Sequence, residues 1–185
     1  MKMRLWLARH ARPLIEEGVC YGALDVAADE SETNAAAQRL GQELPQGVDV
    51  LSSPLRRCTQ LAQALVILRP DLVPRIDPRL AEMDFGSWEG RPWSSLARGE
   101  IDAWTQDFAV YRPGGTGEAV SQFSARVDQL LQELRASGRD QAWIAHGGVF
   151  KVLVRRLDGV GLDCASDWPV ESLAWGRWHL FQIKA

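Results

Sequence analysis

Leu5-Trp6-Leu7-Ala8-Arg9-His10-Ala11 is the stretch of sequence on which the interpretation of the fold depends. Its first four residues predict an apolar strand, and the strand ends in an arginine and a histidine. A strand of an α/β protein delivers its last residues to the sheet edge where ligands bind. An arginine beside a histidine at that edge points to an anion, most simply a phosphate. His10 is therefore a candidate nucleophile that accepts a phosphoryl group.

Length and composition indicate an ordinary globular protein. The chain has 185 residues, of which 46% are hydrophobic and 24% are charged, enough for one domain with an adequate core. The net charge of -3 argues against a nucleic-acid partner, since nucleic-acid binders carry a basic excess. Because the apolar runs are far shorter than a bilayer and no signal-peptide core precedes them, we expect no membrane partner.

Cysteine and histidine are both scarce. The three cysteines are widely spaced and odd in number, which is typical of reduced thiols in a cytoplasmic protein. The three histidines show no His-x-x-x-His spacing, so the sequence offers no zinc motif. We expect a cytoplasmic protein in which these thiols are reduced and mostly buried.

Strand and helix patterns alternate along the chain. Strands are predicted at 3–8, 48–51, 73–76, 142–145 and 177–183, and helices at about 31–44, 54–69, 118–135 and 149–157. Asp29 or Ser31 can cap the first helix, and Ser53 is predicted to cap the second, with Pro54 at its first position. The alternation predicts an α/β fold, a three-layer α/β/α sandwich around a mostly parallel central sheet.

We expect a single domain over residues 1–185, in which residues 80–117 form a covering insertion. This segment is rich in glycine and proline, and short helices are predicted near 93–98 and 100–108. Three of its tryptophans either line the substrate side or pack in the core, namely Trp88, Trp93 and Trp104. The long loop from Ala11 to about Glu30 is expected to be functional, because compact domains seldom contain loops of that length.

Four groups of polar residues follow strand ends or lie just beyond them: Arg9-His10, Ser53 to Arg57, Glu82, and His146-Gly147-Gly148. In a parallel sheet these ends face one crevice. Phosphoryl transfer to a histidine needs an attacking imidazole, arginines on the phosphoryl oxygens and a second histidine that donates to them. It also needs a carboxylic acid for the leaving oxygen. The helix that opens at Gly147 can present backbone N–H groups to the same anion.

The identity of the carboxylic acid stays open at this point. Glu82 is the candidate, but Asp84 and Glu89 are close in sequence and compete for the role.

These motifs resemble those of the histidine phosphatase superfamily, which is phosphoglycerate mutase-like. Its Arg-His-Gly signature is met by Arg9-His10-Ala11, and its Ser-Pro-Leu-x-Arg signature by residues 53–57. A glutamate ahead of Phe-Gly-x-x-Glu-Gly is met by Glu82 and residues 85–90, and a late His-Gly-Gly by residues 146–148. The four motifs occur in the family's order and at matching spacing, from about residue 3 to 155.

The resemblance implies a role for each candidate residue. His10 is the phosphohistidine nucleophile and Glu82 the proton donor. The phosphate pocket consists of Arg9, His10, Arg57, His146 and Gly147. Tyr21 and Gly22 lie in a Tyr-Gly-x-x-Asp element that resembles one in the family, and we place them at the substrate rim. Arg12 is either a third rim residue or a solvated one. The resemblance implies no metal and no cofactor.

Departures from the family pattern favour a phosphatase over a mutase. Ala11 replaces the usual glycine, Arg12-Pro13 replaces the pair that often follows, and the middle segment is short. We expect a metal-independent phosphomonoesterase that acts on a small phosphorylated metabolite, as a monomer or homodimer. The motifs are most similar to the alpha-ribazole phosphatase branch, so alpha-ribazole 5'-phosphate is a candidate substrate. Phosphoglycerate mutase activity and a non-catalytic phosphate-binding module are the alternatives.

Overall fold

The computed structural model describes residues 2–184, over which strands and helices alternate. In chain order these are β1 (Lys2–Arg9), α1 (Glu30–Glu43), β2 (Asp49–Ser52), α2 (Arg56–Leu68), β3 (Arg75–Ile76), α3 (Arg98–Gln106), α4 (Val120–Ser137), β4 (Gln141–Ala145), α5 (Gly147–Leu157) and β5 (Trp178–Lys184). Short 3₁₀ turns occur at 78–80, 86–88, 93–95 and 165–167.

The five strands form one sheet in the order β3-β2-β4-β1-β5. The first four are parallel, and β5 pairs antiparallel with β1 at the edge. This confirms the predicted mostly parallel sheet. Since β4 lies between β2 and β1, the carboxyl ends of β1 and β4 are direct neighbours. Ligands of open α/β sheets bind where the chain leaves two adjacent strands toward opposite faces.

The two faces of the sheet are covered by different helices, which confirms the three-layer sandwich. Successive side chains of a strand point to opposite faces, and β1 shows this clearly. Leu5 and Leu7 belong to the core packed under α4 and α5. Trp6 and Ala8 belong to the core packed under α1 and α2. The helices that follow β1 and β4 therefore lie on opposite sides of the sheet. This arrangement opens a ligand crevice between the carboxyl ends of the two strands.

Helix α2 begins two residues later than predicted. Leu55 is the N-cap residue with extended backbone, and its N–H donates to Ser53 Oγ at 3.3 Å. The N–H of Arg56 donates instead to the carboxylate of Asp25 at 2.6 Å. Ser53 is therefore not the cap, because the first free N–H of the helix is satisfied from the long loop.

Strand β3 is shorter than the predicted 73–76 and contains only Arg75 and Ile76. Pro74 has no N–H to donate to a neighbouring strand, and Val73 is exposed. The helix predicted near 93–98 is a 3₁₀ turn at Trp93–Ser95, followed by α3.

The aromatic residues of the middle segment pack against one another and near the β1 and β4 ends. Trp88 is fully buried beside Cys20 and Leu96. Trp93 and Trp104 stack with ring centroids 6.3 Å apart, and both also line a cavity that His10 and Gly147 share. Over the part of the chain described, no helix combines the length and the apolar character needed to cross a bilayer.

Candidate active site

The two histidines of the predicted constellation lie side by side. In the parallel pairing of β1 with β4, Arg9 is opposite Ala145, so the residue that follows each strand is a histidine. The His10 and His146 rings have centroids 5.1 Å apart, and both residues are at most 1% exposed. The backbone N–H of His10 donates to the carbonyl of Ala145 at 3.3 Å, which joins the strand ends.

The environment of His10 defines its tautomer and its charge. Its Nδ1 lies 2.7 Å from the carbonyl oxygen of Ala11, and a carbonyl only accepts, so Nδ1 carries the hydrogen. Burial and the nearby Arg57 guanidinium, with a further contribution from Arg9, lower the pKa of His10 to about 3. The ring is therefore neutral at pH 7 and has a lone pair on Nε2, as a nucleophile requires.

His146 is also neutral and is held at the opposite ring nitrogen. Its Nε2 lies 2.8 Å from Ser53 Oγ and 3.4 Å from the thiol sulfur of Cys58. Burial, then the charge of Arg57 and the neighbouring His10, lower the pKa of His146 well below its usual range. When Ser53 donates to Nε2, the hydrogen of this neutral ring is on Nδ1, where it is available to an anion.

Arg57 is fully buried at the start of α2, and loop carbonyls hold it. Its Nη1 donates to the carbonyl of Leu24 at 2.8 Å, and its Nη2 donates to that of Gly22 at 2.6 Å. The Tyr21 ring lies 5.4 Å from the guanidinium carbon. These contacts explain why the Tyr-Gly-x-x-Asp element is near the site: its backbone orients the arginine.

Glu89 organises that loop and takes no part at the crevice. Its two carboxylate oxygens accept four backbone N–H bonds, from Gly22, Ala23, Leu24 and Phe85, at 2.8 to 3.1 Å. A carboxylate with four donors has no free position for proton transfer, which removes Glu89 as a competing acid.

Arg9 is held by the segment that precedes β5. Its Nη1 donates to the carbonyl of Leu173 at 2.6 Å and lies 3.4 Å from Ser172 Oγ. The Trp175 ring lies 5.4 Å from its guanidinium carbon. Burial lowers the pKa of Arg9 from its ordinary value. No pattern in the sequence of residues 172–175 predicted these contacts.

Two arginine nitrogens beside the histidines are buried without a partner. Across residues 2–184, the Nε atoms of Arg9 and Arg57 have no hydrogen-bond acceptor. Buried donors of charged groups are normally paired, and leaving them unpaired is costly. An anion with several acceptor oxygens, such as a phosphoryl group, would satisfy both.

Glu82 is placed against the first turn of α5. Its Oε2 accepts the N–H of Gly148 at 2.9 Å, and its Oε1 accepts the N–H of Met83 at 3.1 Å. A Cβ at position 148 would lie 2.2 Å from Oε1, so only glycine allows this approach. Arg126 donates to the carbonyls of Arg79, Ala81 and Glu82 and so fixes the segment that carries the carboxylate.

The structure brings most of the predicted residues to one cavity of about 390 Å³, a size suited to a small ligand. Its lining includes Arg9, His10, Tyr21, Glu82, Gly147 and Gly148. Three other predicted residues are not part of this lining, namely Gly22, Arg57 and His146. Arg57 lies next to it against Tyr21, and His146 lies next to it against His10. Asp84 lies elsewhere, accepting the N–H of Gly86 at 2.7 Å. Arg12 also lies outside this cavity, because its Nε donates to Glu32 at 2.9 Å on the surface.

Outside residues 80–117, four residues of this lining were not predicted from the sequence: Val120, Lys151, Trp168 and Ser172. Only Lys151 had a detectable signal, since it lies one helical turn after Gly147 on the same side of α5. Within residues 2–184, no group of three or more His, Cys, Asp or Glu side chains is arranged around a possible metal position.

Replacing Glu89 by glutamine is expected to destabilise the protein. The amide nitrogen cannot accept, so two of the four backbone N–H groups lose their partner, and the free energy of unfolding falls by about 2 kcal/mol or more. Urea unfolding measures this, with Glu17→Gln at an exposed position as the matched control. A loss no larger than that of the control would contradict the assigned role of Glu89.

The His10 ring is expected to stay neutral between pH 8 and pH 5, because its pKa is lowered to about 3. Its ring-proton NMR signal, assigned with His10→Gln, should not titrate over this range. An unfolded chain binds this proton near pH 6.5. The contribution of His10 to the free energy of unfolding is therefore fully present above about pH 6.5. It is lost as the pH falls toward 3, because only the unfolded chain then binds the proton readily. A titration midpoint near 6.5 in the folded protein would contradict the burial argument.

Comparisons with known proteins agree with the motifs and the fold. A family model described as the histidine phosphatase superfamily (branch 1) matches residues 5–180. Adenosylcobalamin/alpha-ribazole phosphatase of Escherichia coli (strain K12) is 30% identical over 181 residues, covering 94% of this chain and 88% of that protein. Glucosyl-3-phosphoglycerate phosphatase of Mycobacterium tuberculosis is 34% identical over 183 residues, covering 90% of this chain and 78% of that protein.

A solved native structure of mycobacterial glucosyl-3-phosphoglycerate phosphatase superposes with a TM-score of 0.83 at 29% identity. The match covers 98% of this chain and 91% of that one. Since the family match spans nearly all of the sequence, the chain belongs to the histidine phosphatase superfamily, branch 1.

Proposed function

We propose that this protein hydrolyses a small phosphomonoester through a phosphohistidine formed on His10. The chain is a phosphomonoesterase by its family and its phosphatase relatives. The observation that carries the mechanism is the pair of neutral, buried histidines beside two arginine Nε donors that lack an acceptor in residues 2–184. This set of groups is complementary to a phosphoryl group and includes a nucleophile with a free lone pair.

In the first step, the Nε2 lone pair of His10 attacks phosphorus in line with the ester oxygen. A P–N bond forms as the P–O bond breaks, and the departing oxygen takes a proton from the Glu82 carboxylic acid. The alcohol leaves, and the phosphoryl group remains on His10. The hydrogen bond from Nδ1 to Ala11 keeps the ring oriented and supports the positive charge that develops on it.

In the second step, water attacks the phosphorus of the phosphohistidine. The Glu82 carboxylate takes a proton from this water, the P–N bond breaks, and inorganic phosphate leaves. Glu82 thus returns to its acid form, and the His10 electron pair returns to Nε2.

Throughout both steps the phosphoryl oxygens are held by fixed donors. Arg9 and Arg57 offer guanidinium N–H groups, His146 offers Nδ1–H, and the N-terminus of α5 offers the N–H of Gly147. These donors are oriented before substrate binds, by Leu173 for Arg9 and by the loop carbonyls for Arg57. Such preorganisation is the main source of rate enhancement in phosphoryl transfer.

We also propose that residues 80–117 cover the site within a single domain. Phe85, Trp93, Trp104 and Phe108 from this segment line the same cavity as Arg9 and His10. The leaving alcohol would lie among these aromatic side chains. Alpha-ribazole 5'-phosphate, suggested by the motifs, is one candidate; the aromatic lining and an Escherichia coli relative named for this substrate support it.

The two alternative functions, a mutase and a non-catalytic phosphate-binding module, would give different results in assays. A mutase would interconvert 2- and 3-phosphoglycerate without net release of phosphate. A non-catalytic module would bind inorganic phosphate in calorimetry and turn over no phosphoester.

Glu82→Gln is expected to separate proton transfer from binding. For an alkyl phosphate such as glycerol 3-phosphate, kcat/KM should fall by about 10² to 10⁴, the usual contribution of a general acid. For p-nitrophenyl phosphate the loss should be far smaller, because its leaving phenolate needs no proton. Steady-state release of phosphate by the wild type and the variant measures both.

Asp84→Asn is the matched control and should preserve kcat/KM for both substrates, since Asp84 lies outside the cavity. Equal losses on both substrates in Glu82→Gln would contradict the acid role. A wild type inactive on every phosphoester would contradict the proposed function.

A further inference from the structure

The carboxyl group proposed to donate the proton is carried by a segment without regular structure. Residues 81–85 lie between two 3₁₀ turns and belong to neither a helix nor a strand. A general acid must lie within hydrogen-bond reach of the leaving oxygen, and a small displacement weakens it. The backbone that carries Glu82 must therefore be fixed by residues outside this segment.

Arg126 of α4 binds the carbonyls of this segment with three of its donors. Its Nη1 donates to Arg79 at 2.5 Å and to Ala81 at 2.6 Å, and its Nη2 donates to Glu82 at 3.1 Å. The remaining two N–H groups donate to the carboxylate of Glu118, from Nε at 2.7 Å and from Nη2 at 2.9 Å. A guanidinium has five N–H donors, so all of them are used within the protein.

This full use of donors distinguishes Arg126 from the two arginines of the phosphate pocket. The Nε atoms of Arg9 and Arg57 are buried without an acceptor among residues 2–184. Arg126 keeps no donor for a substrate, and it lines a second, open cavity together with Glu118. Glu82 contributes to the lining of both cavities. Arg126 and Glu118 therefore hold the acid from the side of the second cavity.

Glu118 fixes both Arg126 and the far end of the same segment. The two side chains form a bidentate ion pair and are only 17% and 19% exposed. The backbone N–H of Glu118 donates to the carbonyl of Asp84 at 2.7 Å. Four carbonyls between residues 79 and 84 are thus bound by two residues, and the bidentate pair keeps these two in one geometry.

The same turn of α4 also borders the N–H group that holds the Glu82 carboxylate. The guanidinium carbon of Arg126 lies 4.5 Å from the centre of the Phe123 ring. A Cβ at position 148 would lie 3.1 Å from that ring, so the ring packs against Gly148. The N–H of Gly148 donates to the Glu82 carboxylate at 2.9 Å. Both the backbone and the carboxylate of Glu82 are therefore positioned from this turn.

We propose that Arg126 and Glu118 are positioning residues for proton transfer, which hold Glu82 at the distance from which it protonates the leaving oxygen. This rests on the proposed function and adds to it two residues that touch neither the substrate nor the reacting atoms. Loss of the pair leaves the phosphate pocket intact and displaces the acid. The loss of activity therefore depends on whether the leaving group needs a proton.

Arg126→Lys and Glu118→Gln test the pair. An ammonium lacks the planar fork that reaches three carbonyls and a carboxylate together. A glutamine amide nitrogen would face one of the two N–H donors that Glu118 now accepts. In each variant kcat/KM for glycerol 3-phosphate should fall by about 10- to 100-fold, the effect of misplacing a catalytic group by about 1 Å. For p-nitrophenyl phosphate it should change little, because the phenolate leaves without a proton.

Glu133→Gln is the matched control. Glu133 also lies on α4, and its carboxylate also pairs with the acid-bearing segment, through Arg79, but its side chain is 62% exposed. Exposed ion pairs contribute little. This variant should therefore keep the wild-type kcat/KM on both substrates. Thermal unfolding of each variant shows whether it remains folded, and Glu118→Gln serves as the test if Arg126→Lys does not.

Combination with Glu82→Gln separates positioning from a general structural role. If Arg126 acts through Glu82, Arg126→Lys should cause no further loss on glycerol 3-phosphate once residue 82 is glutamine. A general weakening of the fold would add its own loss to that of Glu82→Gln.

The outcomes distinguish the positioning role from the proposed function. Additive losses, equal losses on both substrates, or wild-type activity of the folded Arg126→Lys and Glu118→Gln on glycerol 3-phosphate would each overturn the positioning role and leave the phosphatase function intact. If Glu82→Gln loses equally on both substrates, the acid role fails and the positioning role fails with it. If the wild type hydrolyses no phosphoester, the proposed function itself fails.

Discussion

The parallel pairing of β1 with β4 is the constraint on which the site depends. Because Arg9 is paired with Ala145, the residue that follows each strand is a histidine, and the two ring centroids lie 5.1 Å apart. A slip of one residue would turn one ring to the opposite face of the sheet. The apolar cores on both faces fix this register, since Leu5 and Trp6 pack into different layers. The nucleophile and its neighbour are therefore positioned by the same burial that stabilises the fold.

The charged groups at these strand ends are oriented mainly by backbone atoms. Glu89 binds the N–H groups of the 22–24 loop, and the carbonyls of that loop hold Arg57. The carbonyl of Leu173 holds Arg9 in the same way. Each guanidinium keeps a buried Nε without an acceptor in residues 2–184. The site thus concentrates positive charge around two neutral rings, an arrangement whose cost an incoming phosphoryl group offsets.

Much of this could be predicted from the sequence, because strand ends followed by Arg-His and His-Gly-Gly are local signals. The sandwich and its mostly parallel sheet were confirmed. Contacts made through backbone carbonyls leave no side-chain pattern, which is why the role of the segment before β5 was missed. The predicted start of α2 was wrong because the first N–H of this helix donates to Asp25, thirty-one residues away in sequence. Glu82, Asp84 and Glu89 all carry a carboxylate, and their hydrogen bonds in the folded protein distinguish them.

The most direct test of the account is to trap the covalent intermediate. The wild-type protein would be mixed with p-nitrophenyl phosphate, quenched in base during turnover, digested and analysed by mass spectrometry. The account predicts one phosphoryl group on the peptide that contains His10, stable in base and lost in acid, and none in His10→Gln. A phosphoryl group on any other residue, or turnover with no phosphorylated peptide, would contradict it.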